Sequence, residues 1–315
     1  MRNSQTEGIA MLTGGLGNQF FQVCHAIRGS ESASYQFISR NYRQDNTNTQ
    51  DIDAFNIRNV THAENQIKFG FLSTKISNLI LRFSNRGNQE LINILTLKTL
   101  QTLLTLSLSI SNNRLIKVNT EISDQKSKRG LFVFLGYFQG SENSNSGREI
   151  ELLRSATLKN HKVQKMIQEK YEKNQTLVIH VRKGDYSFQK NSKFGILDRD
   201  YYERAIRFVS QASNFEEVNV YSDDIHYAKN LLVNLLPLGT VWIESVYEST
   251  AATFESMRYA TTYILANSSF SWWAARLCVN EMPLVVYPEP WFKGQFSPLE
   301  SPQNWHGIKS FKDSN

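Results

Sequence analysis

The run His180-Val-Arg182-Lys183-Gly-Asp185-Tyr186 follows directly on the apolar stretch Leu177-Val-Ile179. Such a stretch predicts a central strand, whose end carries an imidazole, a guanidinium, a glycine and a carboxylate to the carboxyl edge of a sheet. In open α/β sheets that edge is where ligands bind. A guanidinium there suits a diphosphate, because its planar fork donates two parallel hydrogen bonds to paired oxygens. Solvated decoration is the usual reading of a charge cluster, but the end of a central strand should face a crevice. The chemistry these residues predict is the holding of a phosphorylated ligand, with a nucleotide derivative the best fit.

Two further clusters have the same placement. Tyr221-Ser222-Asp223-Asp224 ends a second apolar run, where carboxylates accept hydrogen bonds from ribose hydroxyls or a base edge. Ser222 or Asp223 would serve equally as a helix N-cap. An Asp-Asp pair alone is a weak metal signal, and nothing near it in sequence completes a coordination shell. In Ala266-Asn-Ser268-Ser269-Phe270-Ser-Trp-Trp273, the small polar residues at a helix start offer caps, hydroxyls and N–H groups for phosphate. The Phe-Ser-Trp-Trp run is too bulky and apolar for a surface helix, so at least two of its rings should be core. Three clusters at strand ends of one domain would converge on one crevice. Near the start, Gly14-Gly15-Leu-Gly17-Asn18 is either a nest of N–H groups or a tight turn that lets a helix pack on its sheet. It lacks the third glycine of the dinucleotide fingerprint, which argues against an NAD site.

The elements that must position these residues read as α/β. At 315 residues the chain has room for two domains of ordinary size or one large α/β unit. A strand at 8–12 leads through the glycine turn into a helix of about ten residues beginning near Gln19. Residues 41–61 read as polar and irregular, 75–110 as helical, and 131–138 as a buried strand. The loop formers at 140–147 mark the boundary, and a helix over 149–171 carries the chain onward. The expected domains are therefore 1–148 and 149–315. In the second, strands at 177–181, 218–221, 241–243, 263–265 and 284–287, the last of the chain, alternate with helices at 200–211, 225–236, 251–259 and 270–279. That alternation means a parallel, doubly wound sheet.

The net charge of +6 is spread along the chain, which fits an anionic ligand or a membrane surface and not a nucleic-acid groove. Cys24 and Cys278, far apart in apolar stretches, read as buried reduced thiols. No signal peptide is read at the start, and a cytoplasmic location is expected. Residues 91–110, leucine-rich but laced with polar side chains, read as a core helix or as an interfacial amphipathic one. In the second case the protein would sit peripherally on the inner face of the cytoplasmic membrane.

Together HVRKGDY, YSDD, ANSSFSWWAA and the amino-terminal GGLGNQFFQ resemble the α-1,2-fucosyltransferases of glycosyltransferase family eleven. The four motifs keep the family's order and span residues 14–275. The resemblance implies a GT-B architecture, two Rossmann-like domains facing each other across a cleft. Domain 149–315 would bind GDP-β-L-fucose as co-substrate and domain 1–148 would bind the acceptor, a galactose-terminated oligosaccharide or lipid-linked glycan. It implies an inverting, metal-independent transfer with no cofactor, to the 2-hydroxyl of a terminal galactoside. Surface glycan or O-antigen synthesis would be the setting.

Carried over by position, Arg182 would bind the diphosphate and stabilise the charge that grows on GDP. His180 and Asp224 would contact ribose or guanine, with Asp223 beside them. Ser268, Ser269 and Phe270 would complete the donor pocket. Asn18, beside Gly15 and Gly17, would act from the opposite domain, and Asp185 would orient Arg182 through an ion pair. Lys183 stands where the family has a second arginine, keeping the charge but losing the fork. Phe20 and Val23 depart from the family's first motif as packing variation. Hydrolysis would call for two flanking carboxylic acids, and no such pair is evident. Two rivals stay open: a transferase with another GDP-sugar, and a non-catalytic nucleotide-sugar or glycan-binding protein. Asp185, His180 or a phosphate oxygen of the leaving group would each be an acceptable general base.

Overall fold

The computed structural model describes residues 7–29, 35–39, 51–62, 75–77, 91–112, 116–119, 131–139, 147–171, 175–187, 194–244, 249–293 and 301–311. They form two compact units, one running to Gln139 and resuming through Ala156, the other from Thr157 onward.

The first unit contains β1 (Glu7–Leu12), α1 (Leu16–Gly29), β2 (Tyr35–Ser39), the two-residue β3 (Phe55–Asn56), β4 (Val60–His62), α2 (Leu91–Asn112), β5 (Ile116–Asn119), β6 (Leu131–Phe134) and α3 (Arg148–Arg154). Five strands pair in parallel in the order β4-β2-β1-β6-β5. Ile9, Ala10, Met11 and Leu12 are all buried, as a central parallel strand covered on both faces requires. The helix expected from Gln19 begins at Leu16. The Gly15 carbonyl accepts the N–H groups of both Asn18 and Gln19, which draws residues 16–18 into the first turn. From α1, Phe20, Phe21, Val23, Cys24 and Ile27 enter the core. The strand expected over 131–138 ends at Phe134, and Phe138 takes a left-handed backbone at φ +52. Residues 60 and 61, read as part of an irregular stretch, form β4 with His62. Like β2 and β5, it is short and gains its hydrogen bonds from neighbours distant in sequence.

Of the helix expected over 75–110, residues 78–90 lie outside the described residues, and α2 covers the leucine-rich part. It buries Leu104 and Leu108 completely and leaves Leu103 and Leu106 about half exposed. Among its described side chains, 98–109, the helix thus has one buried edge and an apolar outer flank. No helix among the described residues is long and apolar enough to cross a membrane.

The helix expected over 149–171 is two helices. Arg28 Nη2 binds Glu149 Oε1 at 2.7 Å, fastening α3 to α1. The Ser155 N–H closes α3 on the Glu151 carbonyl, and Asn160 Oδ1 accepts the Val163 N–H at 3.2 Å to start α4 (His161–Tyr171). The short β7 (Thr157–Leu158) lies between them. The sequence Ser155-Ala-Thr-Leu-Lys-Asn160 therefore carries a stop and a start that the surrounding apolar periodicity hides.

After α4 the second unit runs β8 (Thr176–Val181), α5 (Arg199–Ala212), β9 (Glu217–Ser222), α6 (Ile225–Leu231), β10 (Val241–Glu244), α7 (Thr250–Met257), β11 (Thr262–Ile264), α8 (Ser269–Arg276), β12 (Leu284–Glu289) and β13 (His306–Lys309). Its six strands are all parallel, in the order β10-β9-β8-β11-β12-β13. The alternation read from the sequence is the one observed, with two corrections. β12 is not the last strand: the polar His306-Gly-Ile-Lys309, with no apolar pattern of its own, adds at the edge as β13. And α6 stops at Leu231, short of the expected 236, because Asn234 turns the chain through a left-handed backbone at φ +61.

Every residue of β8 is buried. Leu177, Ile179 and Val181 pack with Val218 and Val220 beneath Tyr201, Tyr202, Ala205 and Val209 of α5. Each tyrosine meets its polar requirement on the sheet: Tyr201 Oη donates to the Leu265 carbonyl at 2.7 Å and Tyr202 Oη to that of His180 at 3.0 Å. Cys24 and Cys278 are buried and are not joined in a disulfide. Between α7 and α8 lies a fully buried ion pair. Arg258 Nη1 meets Glu255 Oε2 at 2.6 Å, Arg258 Nε donates to the Leu277 carbonyl, and Gln164 Nε2 donates to Glu255 Oε1. Removing one partner strands the other charge in the core, so Arg258→Met should destabilise the protein by about 3–5 kcal/mol in urea unfolding. A change below about 1 kcal/mol, typical of an exposed pair, would contradict this account.

Candidate functional site

The second sheet changes winding direction between β8 and β11: from β8 the chain proceeds through β9 to β10, and from β11 through β12 to β13 on the other side. The carboxyl ends of β8 and β11 therefore flank a topological switch point, where open sheets form their binding crevice. His180 and Arg182 leave β8 there, and Asn267, Ser268 and Ser269 leave β11 there. The two exits touch: Tyr186 Oη donates to the Asn267 carbonyl at 2.8 Å, and the rings of His180 and Phe270 lie 6.0 Å apart.

The third cluster joins through strand register. β8 and β9 pair residue for residue up to Val181↔Ser222. One step further, Arg182 stands opposite Asp223, and one beyond that Lys183 stands opposite Asp224. Arg182 Nη1 meets Asp223 Oδ2 at 2.8 Å, and Lys183 Nζ meets Asp224 Oδ2 at 2.9 Å. Asp223 Oδ1 also accepts the Lys183 backbone N–H at 3.0 Å. A Cβ at position 184 would overlap the Asp223 carboxylate, so this placement of the carboxylate needs Gly184. The Arg182 guanidinium lies 5.7 Å from the centre of the Tyr186 ring.

These contacts revise several roles. The cap of α6 is Asp224, not Ser222 or Asp223: Asp224 Oδ1 accepts the Tyr227 N–H at 2.9 Å. That bond, and the Lys183 ammonium after it, hold the Asp224 carboxyl below its usual range. Lys183 is committed to Asp224 and lies 4.5 Å from the Tyr227 ring centre, so its loss of the arginine fork falls outside the Arg182 contact. The side chain of Asp185 lies outside the described residues. Among the described side chains, the Asp223 carboxylate lies on Arg182. Ser268 is the N-cap residue of α8 but makes no side-chain capping bond. Trp272 and Trp273 are wholly buried, as their bulk predicted. Asn267 Nδ2 donates to the carbonyls of Phe194 and Gly195, fixing a loop whose role the sequence did not disclose. Among the described residues no group of three His, Cys, Asp or Glu side chains is arranged to hold a metal ion.

Gly15, Gly17 and Asn18 lie on the first unit. Gly14 takes the left-handed backbone at φ +77, and three amides of α1 hold the surrounding loops. Gln22 accepts the Thr13 N–H and donates to the Gly136 carbonyl. Gln19 donates to the Gly14 carbonyl and accepts the Ile52 N–H. Asn18 Oδ1 accepts from Gln139 Nε2 at 2.8 Å. Gln139 was invisible in the sequence, because only the pairing of β6 with β1 brings it near. Tyr186, by contrast, stood in the HVRKGDY run and could have been read as its anchor.

His180 is buried, and among the described residues its Nδ1 has no hydrogen-bond partner. Burial, reinforced by the nearby Arg182 charge, lowers its pKa from 6.5 to about 3. The imidazole is therefore neutral at physiological pH. In the unfolded chain it protonates near pH 6.5, so stability falls as pH drops from about 6.5 towards 3. The slope from this one group approaches about 1.4 kcal/mol per pH unit. Urea unfolding at pH 7 and pH 5 should show a shallower loss for His180→Gln than for the wild type. Equal slopes would mean that His180 charges without penalty in the folded state.

Residues 129–309 match the model of Glycosyl transferase family 11. Over 321 aligned positions, 96% of this chain and 98% of the other, it is 25% identical to the alpha-1,2-colitosyltransferase of Escherichia coli. It is 36% identical over 136 residues to the O-antigen biosynthesis glycosyltransferase WbnK of the same organism. That match spans 42% of this chain and 45% of WbnK, less than half its length. The crystal structure of a family 9 glycosyl transferase from Veillonella parvula superposes with a TM-score of 0.51, covering 97% of this chain and 86% of that one. At 8% identity that likeness concerns the fold, two Rossmann-like units of the GT-B class. With more than half of its length matched to the family model, the chain belongs to glycosyl transferase family 11 and is a glycosyltransferase that moves a sugar from a nucleotide-sugar donor to a glycan acceptor.

Proposed function

We propose that the protein transfers L-fucose from GDP-β-L-fucose to the 2-hydroxyl of a terminal galactoside, with inversion, in the synthesis of a surface polysaccharide such as an O-antigen. The observation that carries this reading is the placement of Arg182 at the switch point of the second sheet, beside the α8 start and held by Asp223. A guanidinium fixed before the donor arrives is suited to the diphosphate and to the charge that accumulates there as the C1–O bond breaks. Ser268, whose hydroxyl is not spent on capping α8, and Ser269 would bind the phosphates, with Phe270 beside them. The buried Nδ1 of His180 would gain a partner from the ribose or guanine, recovering the cost of leaving a polar atom unsatisfied. Asn18, held by Gln139, would act from the first unit on the acceptor side.

The reaction is a single in-line displacement. The acceptor oxygen forms its bond to C1 as the C1–O bond to GDP breaks, through an oxocarbenium-like transition state, and the hydroxyl proton must leave. An imidazole with a pKa near 3 is too weak a base for that proton at neutral pH, which argues against His180. A phosphate oxygen of the departing GDP is the group we assign. Arg182 supplies the positive charge that a metal would otherwise provide, so the transfer should proceed in EDTA.

A second reading keeps the chemistry and changes the sugar, because the relative that matches along nearly the whole chain is a colitosyltransferase. Colitose is fucose without its 3-hydroxyl. A site that hydrogen-bonds that hydroxyl would discriminate strongly against the deoxy sugar, whereas one that merely accommodates it would not.

Purified protein with GDP-fucose, EDTA and a panel of galactosides tests both readings. GDP release should depend on the acceptor, survive EDTA and fall by about 10²–10³-fold in Arg182→Ala. Product linkage should be α-1,2. Preferential turnover of the GDP-linked 3-deoxy sugar would replace fucose by colitose and leave the mechanism standing. Turnover that vanishes in EDTA and returns with a divalent cation would refute the role given to Arg182.

A further inference from the structure

Asp223 stands where Rossmann-type sheets often carry an acidic residue that accepts hydrogen bonds from a ribose. Here the carboxylate is otherwise engaged. Oδ2 lies 2.8 Å from Arg182 Nη1 as an ion contact without hydrogen-bond geometry, Oδ1 accepts the Lys183 N–H at 3.0 Å, and the group lies so close against Gly184 that a Cβ there would push the carboxylate aside. Its side chain is about one-fifth exposed, against one-third for Arg182. Asp224, the neighbour that shares the same strand end, is spent on Lys183 and on capping α6.

We propose that Asp223 is a positioning residue that holds the Arg182 guanidinium in its working orientation, and not a ligand of the nucleotide. The proposal rests on the reading of Arg182 as the diphosphate-binding group. The Arg182–Asp223 contact has two opposed consequences. The carboxylate fixes where the guanidinium points, which favours the transition state. It also sets a negative charge beside the place a diphosphate would occupy, which weakens ground-state binding of the donor. Affinity and turnover should then separate when Asp223 is changed. A residue that only supported the fold would lower both, and a nucleotide ligand would lower affinity first.

Asp223→Asn is the informative substitution, because it keeps an oxygen to accept the Lys183 N–H and removes only the charge. With GDP as the probe, calorimetry should show binding as tight as in the wild type or tighter. The kcat for acceptor-dependent GDP release should fall by about 10- to 100-fold. In an Arg182→Lys background the same substitution should change kcat by less than about twofold, since its effect runs through the guanidinium. GDP binding that weakens in step with kcat would make Asp223 a nucleotide ligand and overturn the proposal. So would a loss of kcat that is undiminished in the Arg182→Lys background. If Asp223→Asn lowers the melting midpoint, Asp223→Ser, which also keeps an acceptor for that N–H, replaces it for the same readings. A wild-type protein that binds no GDP would sink the donor-site reading and this proposal with it. Failure in the variants alone sinks only the proposal.

Discussion

The second unit depends on the parallel pairing of β8 with β9. Their register, fixed from Thr176↔Glu217 to Val181↔Ser222, serves the core and the site at once. Within the strands it places Leu177, Ile179 and Val181 on one face with Val218 and Val220, beneath α5. Beyond them it sets Arg182 opposite Asp223 and Lys183 opposite Asp224. A slip by one residue would turn the apolar set of β8 away from α5 and exchange every ionic partner. The hydrophobic effect thus selects the register, and the charged cluster inherits it.

The same economy appears at the other strand ends. Tyr201 and Tyr202 fill the core with their rings and reach the Leu265 and His180 carbonyls with their hydroxyls, next to the two residues groups on which the site is built. Burial pushes both phenols well above their usual range, so they are hydrogen-bond donors at neutral pH. Tyr186 performs a related double task at the surface, bonding the Asn267 carbonyl while its ring lies near Arg182. The first unit achieves rigidity differently, with the amides of Asn18, Gln19 and Gln22 spaced along α1 so that each holds another loop.

Much of the second unit was legible because its apolar runs alternate with amphipathic helices and its strands are buried on both faces. The motif residues could be placed at strand ends before any geometry was known. Three kinds of feature were not legible. Short strands such as β4 and β13 have no apolar pattern and exist by pairing alone. The break between α3 and α4 rests on local bonds, from the Ser155 N–H to the Glu151 carbonyl and from the Val163 N–H to Asn160 Oδ1, inside a run that otherwise reads as helix. The Arg182–Asp223 contact depends on tertiary register: the two residues are 41 positions apart, and only the pairing of β8 with β9 brings them together. Likewise the cap of α6 fell one residue later than the sequence suggested, because Ser222 closes its own turn on Asp224.

Gly184 and Asp223 occupy one volume between them: the carboxylate lies where a Cβ would need to be. Neither position can then drift alone through evolutionary time. Alanine at 184 would push the acid at 223 away from Arg182 and from the Lys183 N–H, so a lineage that kept those contacts would have to keep the glycine. The two positions should be inherited as a single character, with intermediates rarer than either matched pair.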